Sequence, residues 1–587
     1  MTEISSLVPI IKEEIEKERQ QTFEAAKEKD KGRTIVPDAS LPDGPATWSI
    51  LKPSPPPERP SLAALLKYCY RNELGDAELF QYLHRNQFVY DHSIEQWFEF
   101  DGIRWVRDKI QKTQRCVMEM AEIYESAEYI KADEAEVEVG KLLKQADDAA
   151  NSGEEDAKQE AEDLKKQAYK LQKTLLKKVA LLSKRAESLR STRRVSSVLK
   201  AAAQGEESLG ISGAEWHGHP ELLPCANGVI NLRTGELMRP DPSLYLQHMS
   251  PCEYRGIHYE DPFWEDHLDK IFCENEALKR FFGLAIGLSA TGYSHKSVFV
   301  AYGPASNNGK SVTFDAIRDV LGGYATQLKV SALIDDKASK RGPNPDLIDL
   351  ANGIRMSISS ENARGEKFRI DILKAISGGD KITERDLYEG NKSFQPQCKL
   401  WLHTNHIPEM NGYDPGFQNR IKVIPFMAEF VKETSEVNEQ KHVYLEMEKE
   451  SFKKRIKEAY PGILSYIVRN ARKFLLGEEF APPPIIQEYT SEYVEDQDLV
   501  GEFLQMCCER DENSQEQSKT LYAAFCKFCK DEKSIPEKML KSQRSFMAEI
   551  RLRKLDVKTS NRTYVIGILI KSEWLPSLKS LGHSSRA

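Results

Sequence analysis

Nine consecutive residues in the middle of the chain carry the groups that proteins use to bind phosphate. They are Gly303, Pro304, Ala305, Ser306, Asn307, Asn308, Gly309, Lys310 and Ser311. An apolar segment, 297–302, precedes them and a helical segment, 312–321, follows, which is the setting that a phosphate-binding loop requires. Such a loop directs backbone N–H groups at phosphates beside the positive end of a helix. The sequence therefore predicts a nucleotide site, with Lys310 on the terminal phosphates and the Ser311 hydroxyl on Mg²⁺.

The loop has one departure from the usual pattern. Five residues separate Gly303 from Gly309, where the common pattern has four. We therefore expect a loop that is one residue longer at its tip.

Three further polar residues stand beside apolar strands. Glu361 follows 354–360, Asn405 follows 399–404, and Arg420 precedes 421–426. A carboxylate there can hold the Mg²⁺ shell or orient water, and an amide can position water against the γ-phosphate. Each residue alone is more often a surface or capping residue. Their order beside successive strands favours a shared site, because ligands of open α/β sheets bind at strand ends.

Five motifs carry a family resemblance. They are NNGKS at 307–311, SISSE at 357–361, LKAISGGDKITERDLY at 373–388, LWLHTNHIP at 400–408 and NRIKVIPF at 419–426. The run resembles the superfamily 3 helicases, within them the phage and plasmid primase-helicase branch that includes the poxvirus primase-helicase. NGVINLRTGEL at 227–237 and DPFWEDHL at 261–268 extend it upstream.

The resemblance implies a role for each of these residues. Lys310 and Ser311 would bind nucleotide and metal, Glu361 would be the Walker B acid, and Asn405 the sensor. Arg420 would be an arginine finger given to a neighbouring subunit, which implies a ring. Because Ser360 and Asn362 flank Glu361, the division between metal-holding and water-activating roles stays open. DNA in the channel would meet the basic residues Lys381, Arg385 and Lys392, the last at a hairpin tip formed by 389–392.

The pattern of elements predicts a multidomain α/β protein, and the resemblance implies that its core is AAA+-like. We expect a charged helix and Pro-rich arm at 1–60, and a helicase-associated domain at 61–295 with a helical hairpin (a coiled coil) at 109–203. The ATPase core is expected at 296–430, a helical linker at 431–497, and a winged-helix-like domain at 498–587. The last is expected to read as three helices and a strand pair.

The hairpin has opposite charges on its two parts. Residues 131–163 hold 4 basic and 12 acidic residues, whereas 165–200 hold 12 basic and 1 acidic. The favoured interpretation is that the arms neutralise one another. The alternative is that the basic arm contacts nucleic acid.

The whole-chain numbers set limits on the interpretation. The 587 residues carry a net charge of −8, so nucleic-acid binding would need local basic faces. One such face is 536–587, with 11 Lys and Arg against 4 Asp and Glu.

Ten scattered cysteines fit a reduced compartment, and a zinc site at Cys507, Cys508, Cys526 and Cys529 is disfavoured against buried helix-face cysteines. No signal peptide or membrane span is expected. A cytoplasmic protein is predicted, encoded by a bacterium, phage, prophage or plasmid.

These observations favour an ATP-dependent replicative helicase. The resemblance implies 3′ to 5′ movement, and we expect a homo-oligomeric ring, a hexamer, that acts on single-stranded or forked DNA with ATP and Mg²⁺. The alternatives are an ATP-dependent origin-binding initiator that remodels DNA without processive unwinding, and a protein using ATP only structurally. The region before the core shows no clustered metal-binding acids, so we expect a separate protein to supply the primase or loader.

Overall fold

The computed structural model describes residues 59–151, 155–305, 307–335, 345–360, 366–385, 391–410, 414–535, 540–553, 555–559 and 561–575. The predicted charged helix and Pro-rich arm, together with Ser306 and Glu361, lie outside the described residues, as do the side chains of Arg385 and Lys392.

The first described region combines two short helices with a small sheet. Its elements are α1 (Leu62–Tyr70), α2 (Asn72–His84), β1 (Phe88–Asp91), β2 (Gln96–Phe100) and β3 (Trp105–Arg107). The Asp101-Gly102 pair between two aromatic runs predicts a hairpin, and the antiparallel pairing of Phe100 with Trp105 confirms it. These elements form the base from which the long helices extend.

Two long helices and a short one occupy the region predicted as a helical hairpin. They are α3 (Lys112–Ala150), α4 (Glu155–Leu189) and α5 (Thr192–Ala202), and β4 (Gly210–Ile211) then joins the sheet beside β1. The predicted apolar positions Ala161, Ala168, Leu175, Leu182, Ala186 and Leu189 are buried. The second arm does not continue to 203, because Ser191 accepts the backbone N–H of Arg194 and starts a new helix.

A buried carboxylate fixes the base of these helices. Asp76 on α2 is fully buried and accepts hydrogen bonds from Arg185 of α4 (3.0 Å) and from Arg194 of α5 (2.9 Å). Tyr124 of α3 also donates to it, at 3.2 Å. One carboxylate thus connects four helices, and its removal would leave the buried Arg185 guanidinium without its carboxylate partner.

A three-stranded meander and two helices follow. They are β5 (Leu222–Cys225), β6 (Gly228–Asn231), β7 (Glu236–Met238), α6 (Pro262–Ile271) and α7 (Glu276–Ala290). The turns predicted at Asn227-Gly228 and Thr234-Gly235 are confirmed by the antiparallel pairing. Because 281–290 has no charged residue, α7 is buried over that whole segment.

A parallel sheet forms the centre of the protein, which confirms the predicted α/β layer. Its strands and the intervening elements are β8 (Val298–Tyr302), α8 (Lys310–Leu321), β9 (Ala325–Gln327), β10 (Met356–Ser360), α9 (Ile370–Gly378), β11 (Ile382–Arg385), β12 (Asn391–Phe394), β13 (Lys399–Thr404), α10 (Pro415–Gln418) and β14 (Ile421–Pro425). The order across the sheet is β14-β8-β13-β10-β9, all parallel. The carboxyl ends of β8 and β13 therefore lie side by side.

The segment predicted as a helical linker is instead part of the central core. It contains β15 (Glu429–Val431), β16 (Val443–Leu445), α11 (Lys449–Glu458), α12 (Tyr460–Leu475) and α13 (Pro484–Asp496). Helix α12 packs against α7, and Ile467 shares one core cluster with Phe282 and Phe299. One hydrophobic core therefore crosses both predicted boundaries, at 295 and at 430.

The last region contains a strand that the sequence did not predict. Its elements are α14 (Leu499–Cys507), β17 (Cys508–Gln517), α15 (Ser518–Asp531), α16 (Gln543–Leu552), β18 (Val557–Thr559) and β19 (Thr563–Ile570). The antiparallel sheet has the order β17-β19-β18. The expectation of three helices before a strand pair is corrected, because a strand separates the first two helices. Within the described residues, no helix is both long and apolar enough to cross a bilayer.

Candidate active site

The predicted phosphate-binding loop connects β8 to α8, and two glycines determine its shape. A Cβ at Gly303 would lie 2.4 Å from the Phe426 carbonyl oxygen. Gly309 has a φ of +80°, and a Cβ there would lie 2.7 Å from Cγ2 of Ile271. Neither position accepts a larger residue without movement of its neighbours, so the tight turn into α8 depends on glycine.

Lys310 joins the two neighbouring strand ends. Its ammonium donates to the Gly303 carbonyl oxygen at 3.0 Å and to Oδ1 of Asn405 at 2.9 Å. Only 5% of the residue is exposed. Burial lowers the pKa of Lys310 to about 8, because removal from water disfavours the charged form. Two residues predicted separately from the sequence thus meet at one edge of the sheet.

The tip of the loop is held from two sides. Asn308 donates to the Ala305 carbonyl oxygen at 2.7 Å, which closes the loop on itself. The Asn307 side chain donates to Oε2 of Glu446 at 3.2 Å. The backbone carbonyl oxygen of Asn307 accepts the Phe430 N–H at 2.8 Å. The β15–β16 region, which the sequence assigned to a linker, therefore supports the loop.

A buried histidine, missed by the sequence reasoning, supports the loop from below. Nε2 of His267 lies 2.8 Å from Oγ1 of Thr313, whose hydroxyl donates to the Gly309 carbonyl oxygen at 2.8 Å. The Thr313 proton is used in that bond, so His267 must be the donor. Burial lowers the pKa of His267 to about 4, and the ring is neutral near pH 7. The signal available in the sequence was DPFWEDHL at 261–268, which contains this histidine.

The site fits a nucleotide triphosphate with Mg²⁺ on the chemistry of its donors. A buried cation lies beside the first turn of α8, where backbone N–H groups have no acceptor within the helix. Ser311 is exposed on that turn, where its hydroxyl can reach a metal. Pro304 and Asn307 are exposed at the loop surface. Glu361 lies outside the described residues, so its predicted place beside this site stays a prediction.

Arg420 lies at the amino-terminal ends of the strands, opposite to the loop. It directly precedes β14, and Ile421 pairs with Val298 at the start of β8. The loop begins after the end of β8, roughly 16 Å further along at about 3.3 Å per residue. Nη1 of Arg420 donates to the Lys374 carbonyl oxygen and to the Ser377 hydroxyl, both at 2.9 Å. The structure therefore does not bring Arg420 to the loop of its own subunit.

The predicted DNA-contact residues belong to a separate antiparallel hairpin, β11–β12. Lys381 is exposed just before β11, and Arg385 is the last residue of that strand. Lys392 pairs with Glu384 inside β12, so it is not at the hairpin tip as expected. The tip residues 386–390 lie outside the described residues.

Comparisons with known proteins give both a family and relatives. Residues 77–273 match the family described as "D5 N terminal like". "Putative helicase 022R" of Frog virus 3 (isolate Goorha) is 27% identical over 261 residues, which cover 43% of this chain and 26% of the relative. "Putative helicase L207/L206" of Acanthamoeba polyphaga mimivirus is 24% identical over 297 residues, which cover 48% of this chain and 30% of the relative. The chain thus spans less than a third of the length of these relatives.

Among solved structures, the C-terminal region of NrS-1 is 12% identical and covers 50% of this chain and 63% of its own, with a TM-score of 0.31. A structure of JCV helicase bound to a small molecule is 14% identical and covers 40% and 61%, with a TM-score of 0.21. Similarities of this size carry no argument about the fold. The sequence comparisons show that residues 77–273 match the D5 N terminal like model and that the chain is similar to viral proteins named as putative helicases.

Proposed function

We propose that this chain is an ATP-dependent DNA helicase that translocates on single-stranded DNA as a homo-oligomeric ring. The observation that carries the proposal is the contact of Lys310 with Gly303 and Asn405. It places the cation of the phosphate-binding loop against the amide of the next strand. That arrangement suits an enzyme in which a change at the phosphates bound by Lys310 also changes the contacts of Asn405 on the neighbouring strand. The viral relatives named as helicases add support from sequence.

In this proposal, the loop amides, the α8 N-terminus and Lys310 hold the phosphates of ATP. Ser311 and Glu361 hold Mg²⁺, which offsets the phosphate charge when it is bound. Asn405 is the sensor, because its side chain already contacts the cation that would meet the γ-phosphate. His267 and Thr313 keep the Gly309 peptide in position.

The location of Arg420 supports the proposal of a ring. An arginine that acts on phosphate from the far edge of the sheet can reach only the site of another subunit. Head-to-tail interfaces of that kind close into cyclic assemblies, of which a hexamer is our proposal here. The finger would meet the loop of the neighbouring subunit, where it stabilises charge as hydrolysis proceeds.

DNA would pass beside the β11–β12 hairpin, with Lys381, Arg385 and Lys392 supplying phosphate contacts. The long α3–α4 pair would act as a helical hairpin arm, and the 498–587 region as a winged-helix-like DNA-binding domain. A separate protein would supply the primase or the loader.

Steady-state ATP hydrolysis with and without single-stranded DNA tests this proposal. We expect turnover that rises when DNA is added, followed by unwinding of a forked duplex. Turnover and DNA remodelling without processive unwinding would instead favour an initiator. A well-folded protein with no turnover under either condition would overturn both.

A further inference from the structure

One face of α4 carries a row of lysines that the ATPase site does not use. Lys166, Lys170, Lys173, Lys177 and Lys184 follow one another at steps of four, three, four and seven residues. At 3.6 residues per turn, such steps keep the side chains on one face of the helix. All five residues are exposed.

The row points away from α3. The buried seam of α4 runs through Ala168 and Leu175, which pack with Ala135 and Val139 of α3. Lys170 and Lys177 each stand two residues after a seam position, which is about 200° around the helix. The lysines are therefore on the side opposite the partner helix.

The charge of the row is not neutralised by the other arm. Ion pairs join the arms at Lys165–Asp147 (3.6 Å) and Arg190–Glu125 (2.7 Å), and neither lysine nor arginine belongs to the row. In the described parts of the chain, no carboxylate lies within 4.0 Å of the Lys170, Lys173, Lys177 or Lys184 ammonium groups.

The sequence itself adds to this excess of charge. Residues 164–186 contain no Asp or Glu. The lysine row is separated from the carboxylates of α3 by at least the distance between the two helix axes. That distance is about one Debye length in physiological salt. The sequence favoured the interpretation that the two arms neutralise one another. The acidic arm therefore does not neutralise the lysine face of α4.

We propose that the lysine row of α4 binds the phosphate backbone of double-stranded DNA. The row spans roughly 27 Å at 1.5 Å per residue and is straight, because it lies on one continuous helix. Duplex DNA offers one charge per about 1.7 Å and is stiff over such a length. Sites for single strands are usually grooves lined with stacking aromatics, whereas this row lies on a convex surface.

The inference adds a second DNA contact to the proposed function, on which it rests only for the choice of DNA as substrate. The arm would hold duplex while the ATPase sheet and the β11–β12 hairpin act on the single strand. Its contacts carry no sequence preference, since lysines meet phosphates rather than bases.

The test compares two double variants of the full chain, Lys170→Gln/Lys177→Gln and Lys141→Gln/Lys144→Gln. The control lysines are exposed on α3 of the same helical pair. Glutamine has nearly the helix propensity of lysine, so both variants should keep their helicity. Binding of a fluorescein-labelled blunt duplex, and of a single strand of equal length, is measured at several salt concentrations without nucleotide. Without nucleotide, the result does not depend on the proposed ATP site.

For the row variant, we expect duplex affinity near 0.1 M salt to fall tenfold or more, and the salt slope to drop by roughly 0.9 per lysine removed. The control variant should change less than about threefold, since neither lysine belongs to the row. Equal losses in both variants, or no loss in either, would overturn the proposal; the second outcome would leave an acidic protein surface as the occupant. A larger loss for the single strand than for the duplex would also overturn it.

Discussion

Lys310 is the residue whose chemistry the fold changes most. An exposed lysine has a pKa of about 10.4, whereas burial between Gly303 and Asn405 lowers the pKa of Lys310 to about 8. Phosphates bind the protonated form. The proposed nucleotide site is therefore charged at neutral pH but loses its cation within the range where proteins are still folded.

This shift makes nucleotide affinity depend on pH. With a depressed pKa, Lys310 is protonated below about pH 8 and deprotonated above it, so affinity should be constant near pH 7 and fall by up to tenfold per pH unit above 8. Titration of a fluorescent ATP analogue from pH 6.5 to 9.5 measures this. In Lys310→Arg the cation stays charged, so any remaining affinity should lose the pH dependence. A flat profile for the unaltered protein would contradict the assignment.

His267 should act on the nucleotide only through Thr313. Removing its hydrogen bond in His267→Leu should weaken nucleotide binding by about fivefold, as expected for roughly 1 kcal/mol. Thr313→Val should have a similar effect, and the double variant should be no worse than either single one, because both remove the same connection to Gly309. Additive losses in the dissociation constant would show that the two residues act independently.

The sequence identified Lys310 through the phosphate-binding loop and Asn405 because it directly follows an apolar strand. It could not identify His267, which is 46 residues from Thr313 and lies on a helix whose pattern shows only amphipathic spacing. A histidine on such a face is usually a packing residue, and only the fold shows what its ring contacts.

At the scale of elements, the parallel sheet keeps the phosphate-binding loop apart from Arg420, although both would have to contact the same nucleotide. The loop lies at the carboxyl ends of the strands, and Arg420 lies at the opposite edge. The sequence predicted all four strands involved, but their order in the sheet depends on contacts distant in sequence. This topology is compatible with the proposed action of Arg420 on the loop of a neighbouring subunit.

Arg420→Ala should leave ATP binding nearly intact, because each subunit keeps its own loop. Turnover should fall on the order of a thousandfold, as for a lost arginine finger. Rings assembled from a mixture of Arg420→Ala and Lys310→Ala subunits should regain part of the activity, since some interfaces pair a good loop with a good finger. If mixed rings form and regain nothing, Arg420 acts within its own subunit, through Lys374 and Ser377.

The β11–β12 hairpin should be needed for DNA coupling rather than for hydrolysis itself. Lys392→Ala is expected to keep ATP turnover without DNA but lose its stimulation by DNA and the unwinding of a fork. Lys432→Ala, at an exposed lysine after β15, serves as the matched control. Unwinding at the unaltered rate in Lys392→Ala would reject this role.

The predicted strands β8 and β13 differ in burial from β17, one of the strands that the sequence did not predict. Strands β8 and β13 are buried apolar runs, which a parallel sheet requires. Strand β17, with the sequence CERDENSQEQ, exposes most of its side chains at a sheet edge and has an irregular register between Arg510 and Gln515. Charged edge strands carry no apolar alternation, so periodicity cannot reveal them.

At the scale of the whole molecule, one core connects segments that the sequence divided into three domains. Side chains from the β5–β7 meander, the central sheet and α12 pack together, with Trp264 and Trp401 among the largest. Composition and periodicity locate elements but do not show which of them share a core. The central sheet therefore packs against segments that precede it and segments that follow it in the sequence.

The most direct measurement of the central claim is unwinding of a forked DNA duplex by the purified chain in the presence of ATP and Mg²⁺. The account predicts strand separation that requires ATP hydrolysis and disappears in Lys310→Ala, a variant that should keep its fold and thermal stability. Lys432→Ala should unwind the fork as the unaltered protein does. A well-folded Lys310→Ala protein that still hydrolyses ATP and unwinds the fork at the unaltered rate would contradict the account.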